Sequence, residues 1–185
     1  MGEVQDAIEA ALQAVQTRPL PASPAARMRV ILRAEKGSTR AVAARLGIST
    51  RTVQRYLTGR IRRPGPQLAA ALEREARRSW QPRIRQRAIR RAAQAGIAVE
   101  TRARFGFTAA PGSTDDPRLR RVTETIEPNA AAALLAAHQA GADETELRQL
   151  LGQGLGFAYF QDRGRRAAGL DVEVTDIDYL DLDLS

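Results

Sequence analysis

Residues 37–60 read GSTRAVAARLGISTRTVQRYLTGR, and no other stretch limits the fold so sharply. Val42, Ala43 and Leu46 recur at helical spacing. Gly47 can take the positive φ that ends a helix, and Ser49 can cap the next helix, where Val53 and Leu57 face inward. Two short helices joined by a tight glycine turn make helix-turn-helix spacing. The second helix then presents Thr50, Arg51, Thr52, Gln54 and Arg55 near its N-terminal end, the part of such a motif that enters a DNA major groove. Gln54 and the two arginines suit base edges, while Lys36, Arg40, Arg45, Ser49, Thr50 and Thr52 suit the phosphates around them. An ordinary helical hairpin with a solvated outer face has the same spacing. The coincidence of spacing, turn glycine and cap in a basic chain favours the DNA-reading form.

Charge supports that reading. The 185 residues carry 29 Lys and Arg against 21 Asp and Glu, a formal net charge of +8, which favours a polyanionic partner. The excess is uneven: arginines 60, 62, 63, 74, 77, 78, 83, 85, 87, 90 and 91 face only Glu73 and Glu75 along residues 60–91, whereas the chain from Asp143 onward is rich in acid. Arg60, Arg62 and Arg63 extend the expected DNA contacts beyond the second helix. Residues 66–94 read as one long helix, or one broken at Pro82. With arginines on several of its faces it is expected to act as a phosphate-tracking arm, or else as a solubilising linker. Trp80 is expected to be a packing anchor rather than a base-stacking platform. There is no cysteine and a single histidine, His138, so disulfides, thiolate metal sites and a metal centre of the usual nitrogen and sulfur ligands are excluded. His138 is expected at the surface or the core edge, without a chemical task. The first residues, MGEVQDAIEAALQAVQ, lack the basic start and apolar run of a secretory signal, and no apolar segment is long enough to span a bilayer, so a soluble, intracellular protein is expected.

Pro and Gly punctuate the chain at TRPLPASP, RRPGPQ and APGSTDDP. The expected divisions are an N-terminal helix and linker over 1–23, the helix-turn-helix domain over 24–63, an arginine-rich helix over 64–96 and an α+β part over 97–185. Helices are expected near 3–16, 24–35, 39–46, 50–58, 66–94, 128–140 and 143–156. Val99, Thr101, Ala103, Phe105 and Phe107 alternate with other residues as in a strand with one buried face. The terminal LDVEVTDIDYLDLDL alternates apolar and acidic residues, which fits a strand or strand pair that completes a core, pairs with another subunit or meets a partner protein. The fold class is therefore α+β and mainly helical, with an N-terminal helix-turn-helix domain and a smaller C-terminal mixed part. Hydrophobic content is 43% and aromatic content only 4%, much of the apolar share being alanine, so each core is thin.

Between the first strand and the basic chain after it lies AAPGSTDDPR, residues 109–118. Pro, Gly, Ser and Asp are turn residues, and a turn is one reading of this stretch. The other is that Ser113 or Thr114 is a nucleophile, which would need exposure, a mobile backbone and metal ions that lower its effective pKa. Asp115 and Asp116 suit either metal positioning or a turn cap.

Four stretches together resemble the telomere terminal proteins of linear Streptomyces-type chromosomes and plasmids, the Tpg family: ARMRVILRAEKGSTRAVAARLGISTRTVQRY from Ala26, WQPRIR from Trp80, ETRARFGFTAAPGSTDD from Glu100 and YFQDRGRRA from Tyr159. The resemblance covers nearly the whole chain. It implies a protein primer that is joined covalently to 5′ DNA ends and supplies the hydroxyl on which end-patching synthesis starts. Thr114 is the position that matches the linked threonine of the family, with Ser113 beside it as runner-up. The resemblance also implies that the chain is a substrate of a DNA polymerase rather than an enzyme, that Mg²⁺ and dCTP act through that polymerase, and that the partners are telomeric DNA with a 3′ overhang or folded end, a telomere-associated protein, the polymerase and a second copy of the chain. It places the protein in the cytoplasm, on the nucleoid at replicon ends. Tyrosine is another common priming hydroxyl, but Tyr159 lies between Phe157 and Phe160 and is expected in the core. Two other readings stay open: a helix-turn-helix transcriptional regulator, which accounts for residues 38–59 but not for the hydroxyl stretch or the arginine-rich helix, and an architectural nucleoid protein, which accounts for the charge alone.

Overall fold

A computed structural model describes residues 2–109, 113–165 and 170–184, leaving out the side chains at 108, 109 and 113–116. The chain forms two compact units, residues 16–83 and residues 1–15 together with 84–185. The first unit is helical: α2 (Pro24–Ala34), α3 (Thr39–Leu46), α4 (Thr50–Leu57) and α5 (Pro66–Ser79). Each of the first three begins at a serine, Ser23, Ser38 and Ser49, whose side chain accepts a hydrogen bond from the backbone N–H three residues on and so satisfies one otherwise unpaired donor. Met28, Ile31, Val42, Leu46, Val53, Tyr56 and Leu72 fill the core of this unit, with Trp80 packed against it. Trp80 is therefore an anchor, and its indole N–H donates to the Arg18 carbonyl at 3.0 Å.

The second unit is an α+β layer. Strands β1 (Ile97–Ala109), β2 (Ser113–Ile126) and β3 (Asp171–Asp183) form one antiparallel sheet in the order β2-β1-β3. Ile97, Val99, Thr101, Ala103 and Phe105 point to its buried face, as the alternation in β1 required. That face is covered by α1 (Glu3–Ala14), α6 (Pro82–Ala95), α7 (Pro128–Ala140) and α8 (Glu144–Leu155), whose apolar residues share one core with the sheet. α8 runs so close to β3 that a Cβ on Gly152 would stand 2.5 Å from the Val172 carbonyl oxygen. A π-helix, Gly156–Phe160, follows α8 before the chain returns to β3.

The units do not follow segment order along the chain. α1 joins the sheet unit, where the Glu144 carboxylate accepts from the N–H groups of Val4 and Gln5 at 2.9 and 3.2 Å. The arginine-rich stretch is not one rod. It breaks between Ser79 and Pro82, with Gln81 at φ 47°, so that α5 belongs to the helical unit and α6, from Ile84, to the sheet unit.

Two further expectations change. Residues 113–118 are not a loop: β2 starts at Ser113, and only residues 110–112 separate it from β1. Pairing with β1 overrides the turn preference of Ser, Asp and Pro, and Pro117 is tolerated because β2 is an edge strand with a register irregularity opposite Gly106. Tyr159 is not in the core. It is 43% exposed, while its neighbour Phe160 packs against the core. His138 lies at the core edge, with Nε2 3.5 Å from a Glu9 carboxylate oxygen. The terminal strand completes the core through Val172, Val174 and Leu184, with Leu170, Leu180 and Leu182 packed beside them.

Candidate nucleic-acid interface

α3 ends at Gly47, whose φ of 63° and ψ of 33° turn the chain sharply toward α4. Ser49 then caps α4: its hydroxyl accepts from the Thr52 N–H at 3.1 Å and lies 2.9 Å from the Thr52 hydroxyl. α4 buries Val53 and Tyr56, with Leu57 half-buried behind them, so the inward position expected of Leu57 is shared with tyrosine. Burial pushes the Tyr56 hydroxyl pKa upward, and it stays protonated. The opposite side of the helix carries Thr50, Arg51, Gln54 and Arg55, all exposed. Eight residues of helix are about 12 Å long, comparable to the width of a DNA major groove. At the other end, Arg29 donates to the Leu57 carbonyl at 3.2 Å and places a cation on the helix C-terminus.

These are the features of a DNA-reading helix held on a packed scaffold. Residues 21–61 match the Homeodomain-like domain HTH_23. This part of the chain is a helix-turn-helix domain of the DNA-binding type. No curated protein and no solved structure matches the chain.

The expected contact residues fall into distinct groups. Lys36, Arg40, Thr50, Arg51, Gln54, Arg55, Arg60, Arg62 and Arg63 are exposed in or beside this domain. Ser49 and Thr52 are occupied with the cap. Arg45 is drawn into ion pairs, Nη1 2.7 Å from Glu35 and Nε 2.6 Å from Glu75, so its guanidinium is shared with two carboxylates. Glu75 also has Arg74 and Arg78 around it, at 3.4 and 3.7 Å, and Arg27 reaches Glu73 at 3.2 Å. The two glutamates of the arginine-rich stretch thus organise several of its cations, and the charge count overstates what is free for phosphate. Arg85 of α6 is buried and makes a two-bonded contact with Glu9 at 3.0 and 3.1 Å.

In the sheet unit, Thr114 pairs with Thr108 and Ser113 with Ala109, at the end of the β1–β2 hairpin opposite the Ile97–Ile126 pair. The side chains of Ser113, Thr114, Asp115 and Asp116 lie outside the described residues. Among the described residues no group of three or more His, Asp or Glu side chains is placed to hold a metal ion, and no helix is long and apolar enough to cross a membrane. The acidic residues of β3 have a partner within the chain. Asp178 and Asp176 lie 3.4 and 3.3 Å from Arg102 and Arg104 on the solvent face of β1, and Tyr179 donates to Glu100 at 3.0 Å. Sequence reading missed this, although the alternating arginines of β1 and aspartates of β3 are its signal. It also missed Arg118, Arg120 and Arg121, since β2 was not foreseen as a strand.

Proposed function

We propose that this protein is a telomere terminal protein, which binds the ends of linear replicons through its helix-turn-helix and primes end-patching synthesis on the hydroxyl of Thr114. The observation that carries the reading is the strand register, which sets the Thr114 backbone at the far end of a long hairpin. From Ile97 to Thr108 the strand advances roughly 36 Å at 3.3 Å per residue. A hydroxyl at the end of such a ribbon suits delivery into a polymerase cleft, and a DNA-binding domain in the same chain suits holding the template.

The chemistry is a phosphoryl transfer. The Thr114 oxygen attacks the α-phosphorus of dCTP, a P–O bond to the protein forms, the bond to the β-phosphate breaks and pyrophosphate leaves, while the hydroxyl proton passes to a base of the polymerase site. Mg²⁺ and dCTP are held by the polymerase, whose metal ions lower the hydroxyl pKa. The chain is on this reading a substrate and a covalent cap rather than an enzyme, working with a telomere-associated protein at replicon ends.

Incubation of the protein with labelled dCTP, Mg²⁺, telomeric template and host extract tests it. Label that survives denaturation on wild type, Ser113→Ala and Tyr159→Phe but is absent from Thr114→Ala is the expected result. Label lost only with Ser113→Ala would move the attachment by one residue. No covalent label on any template, together with tight binding of a palindromic duplex, would refute priming and leave a helix-turn-helix regulator.

A further inference from the structure

The priming reading leaves the YFQDRGRR stretch without a task. In the structure its Tyr159 and Phe160 join a chain of aromatic rings. Phe105 is fully buried, and its ring centroid lies 5.4 Å from that of Phe160. Phe160 meets Phe107 edge-on at 4.6 Å and Tyr159 edge-on at 4.8 Å. The core thus holds Phe160, and Phe160 holds the exposed ring of Tyr159 from behind. A surface aromatic that leans on a core-packed ring has less rotational freedom to lose, so a flat ligand stacking on it pays less ordering entropy.

The charge beside these rings is positive. The Arg120 guanidinium carbon lies 5.7 Å from the Phe107 ring centre and 5.8 Å from that of Phe160, within cation–π range. Its Nε is buried and finds no acceptor among the described residues. Arg118 shares the same face of β2 by strand alternation and is exposed. The turn after the π-helix carries Arg163 and Arg165, both exposed, against the single acid Asp162. That turn folds back on the end of the π-helix that carries Tyr159 and Phe160: the Arg163 N–H donates to the Phe157 carbonyl at 2.9 Å.

An anchored, exposed ring flanked by arginines is the chemistry of a single-stranded nucleic-acid platform, where bases stack on aromatics and cations follow the backbone. We infer that the sheet unit carries a second DNA site, specific for single strands, in which an unpaired base stacks on Tyr159 and Arg120 and Arg163 take the adjoining phosphates. Register puts this platform at the Thr114 end of the sheet, since Phe107 is paired with Asp115, the residue after Thr114. The inference concerns binding and stands apart from covalent attachment.

The test measures fluorescence anisotropy of the full chain with a labelled 12-nucleotide oligothymidylate and, in parallel, a labelled random duplex at fixed salt. Tyr159→Ala should weaken single-strand binding by at least about fivefold, while duplex affinity stays within about twofold, because the helix-turn-helix is untouched. Tyr159→Phe keeps the ring and should keep the affinity. Arg120→Met, which retains the apolar stem, should lower both single-strand affinity and its salt dependence. An unchanged single-strand affinity in Tyr159→Ala overturns the proposal, as does a parallel loss on duplex or equal loss in Tyr159→Phe. Displacement of the oligonucleotide by dTTP at comparable concentration would make the site a nucleotide pocket and overturn the strand reading. A Thr114→Ala variant that fails to accept label but binds oligothymidylate normally separates this site from the priming reading.

Discussion

Replacing Gly47 with alanine isolates the turn of the helix-turn-helix. Its φ of 63° lies in the left-handed region, and a Cβ added there would meet no atom within 4 Å. The cost is therefore backbone strain without a clash, roughly 1–2 kcal/mol, and for a domain of this size each kcal/mol lowers Tm by about 4–8 °C. Asparagine tolerates the same conformation better, so Gly47→Asn should lose about half as much. Trp80 provides the readout, because it is the only tryptophan in the chain and packs on the core of this unit. Urea unfolding followed by its emission should show a lower midpoint with an unchanged slope for Gly47→Ala, and an intermediate midpoint for Gly47→Asn. An unaltered midpoint in Gly47→Ala, or an asparagine variant no better than alanine, would refute the backbone argument. A loss well above the expected range would point to a steric contact that the geometry does not contain.

Other perturbations follow from single contacts. Glu9→Ala removes the carboxylate from buried Arg85 and should destabilise the sheet unit by roughly 2–3 kcal/mol, below the usual cost of stranding a buried charge because Glu9 is partly exposed; thermal unfolding by circular dichroism checks this. Thr101 is fully buried and its hydroxyl donates to the Tyr179 carbonyl at 2.8 Å, so Thr101→Val, which removes that bond, should cost about 1 kcal/mol by the same measurement. Glu73 is held below its ordinary value of 4.5, mainly by the hydrogen bond from Arg77 and further by the charges of Arg27 and Arg77. A depressed carboxylate contributes stability that is present above its unfolded pKa and lost as pH falls through the folded one. The Trp80 unfolding midpoint should therefore fall as pH drops below about 4.5, and Glu73→Gln should flatten that part of the profile; an identical slope in the variant would refute the assignment.

What was legible in the sequence was local. Gly47 and Ser49 announce helix ends through bonds that reach three or four residues, and the structure places a left-handed turn at the first and a cap at the second. What was not legible depends on partners far away in the chain. The STDDP stretch is made of turn formers, and it becomes strand only because β1 lies beside it. No local signal tells α1 that its donors will meet Glu144, or Arg85 that Glu9 will neutralise it. Tyr159 was misread for a related reason: aromatic neighbours in sequence do not share a helix face, and here Phe160 packs on the core while Phe157 and Tyr159 stay exposed. Charge shows the same division between count and context. Six acids on β3 look like a docking tail until the register sets Asp176 and Asp178 beside Arg104 and Arg102. The arginines available to DNA are then those left exposed once such pairings are subtracted, and Arg51, Arg55, Arg60, Arg62 and Arg63 cluster on and after α4. Binding there should weaken steeply with salt, with a slope set by those residues and not by the net charge of the whole chain.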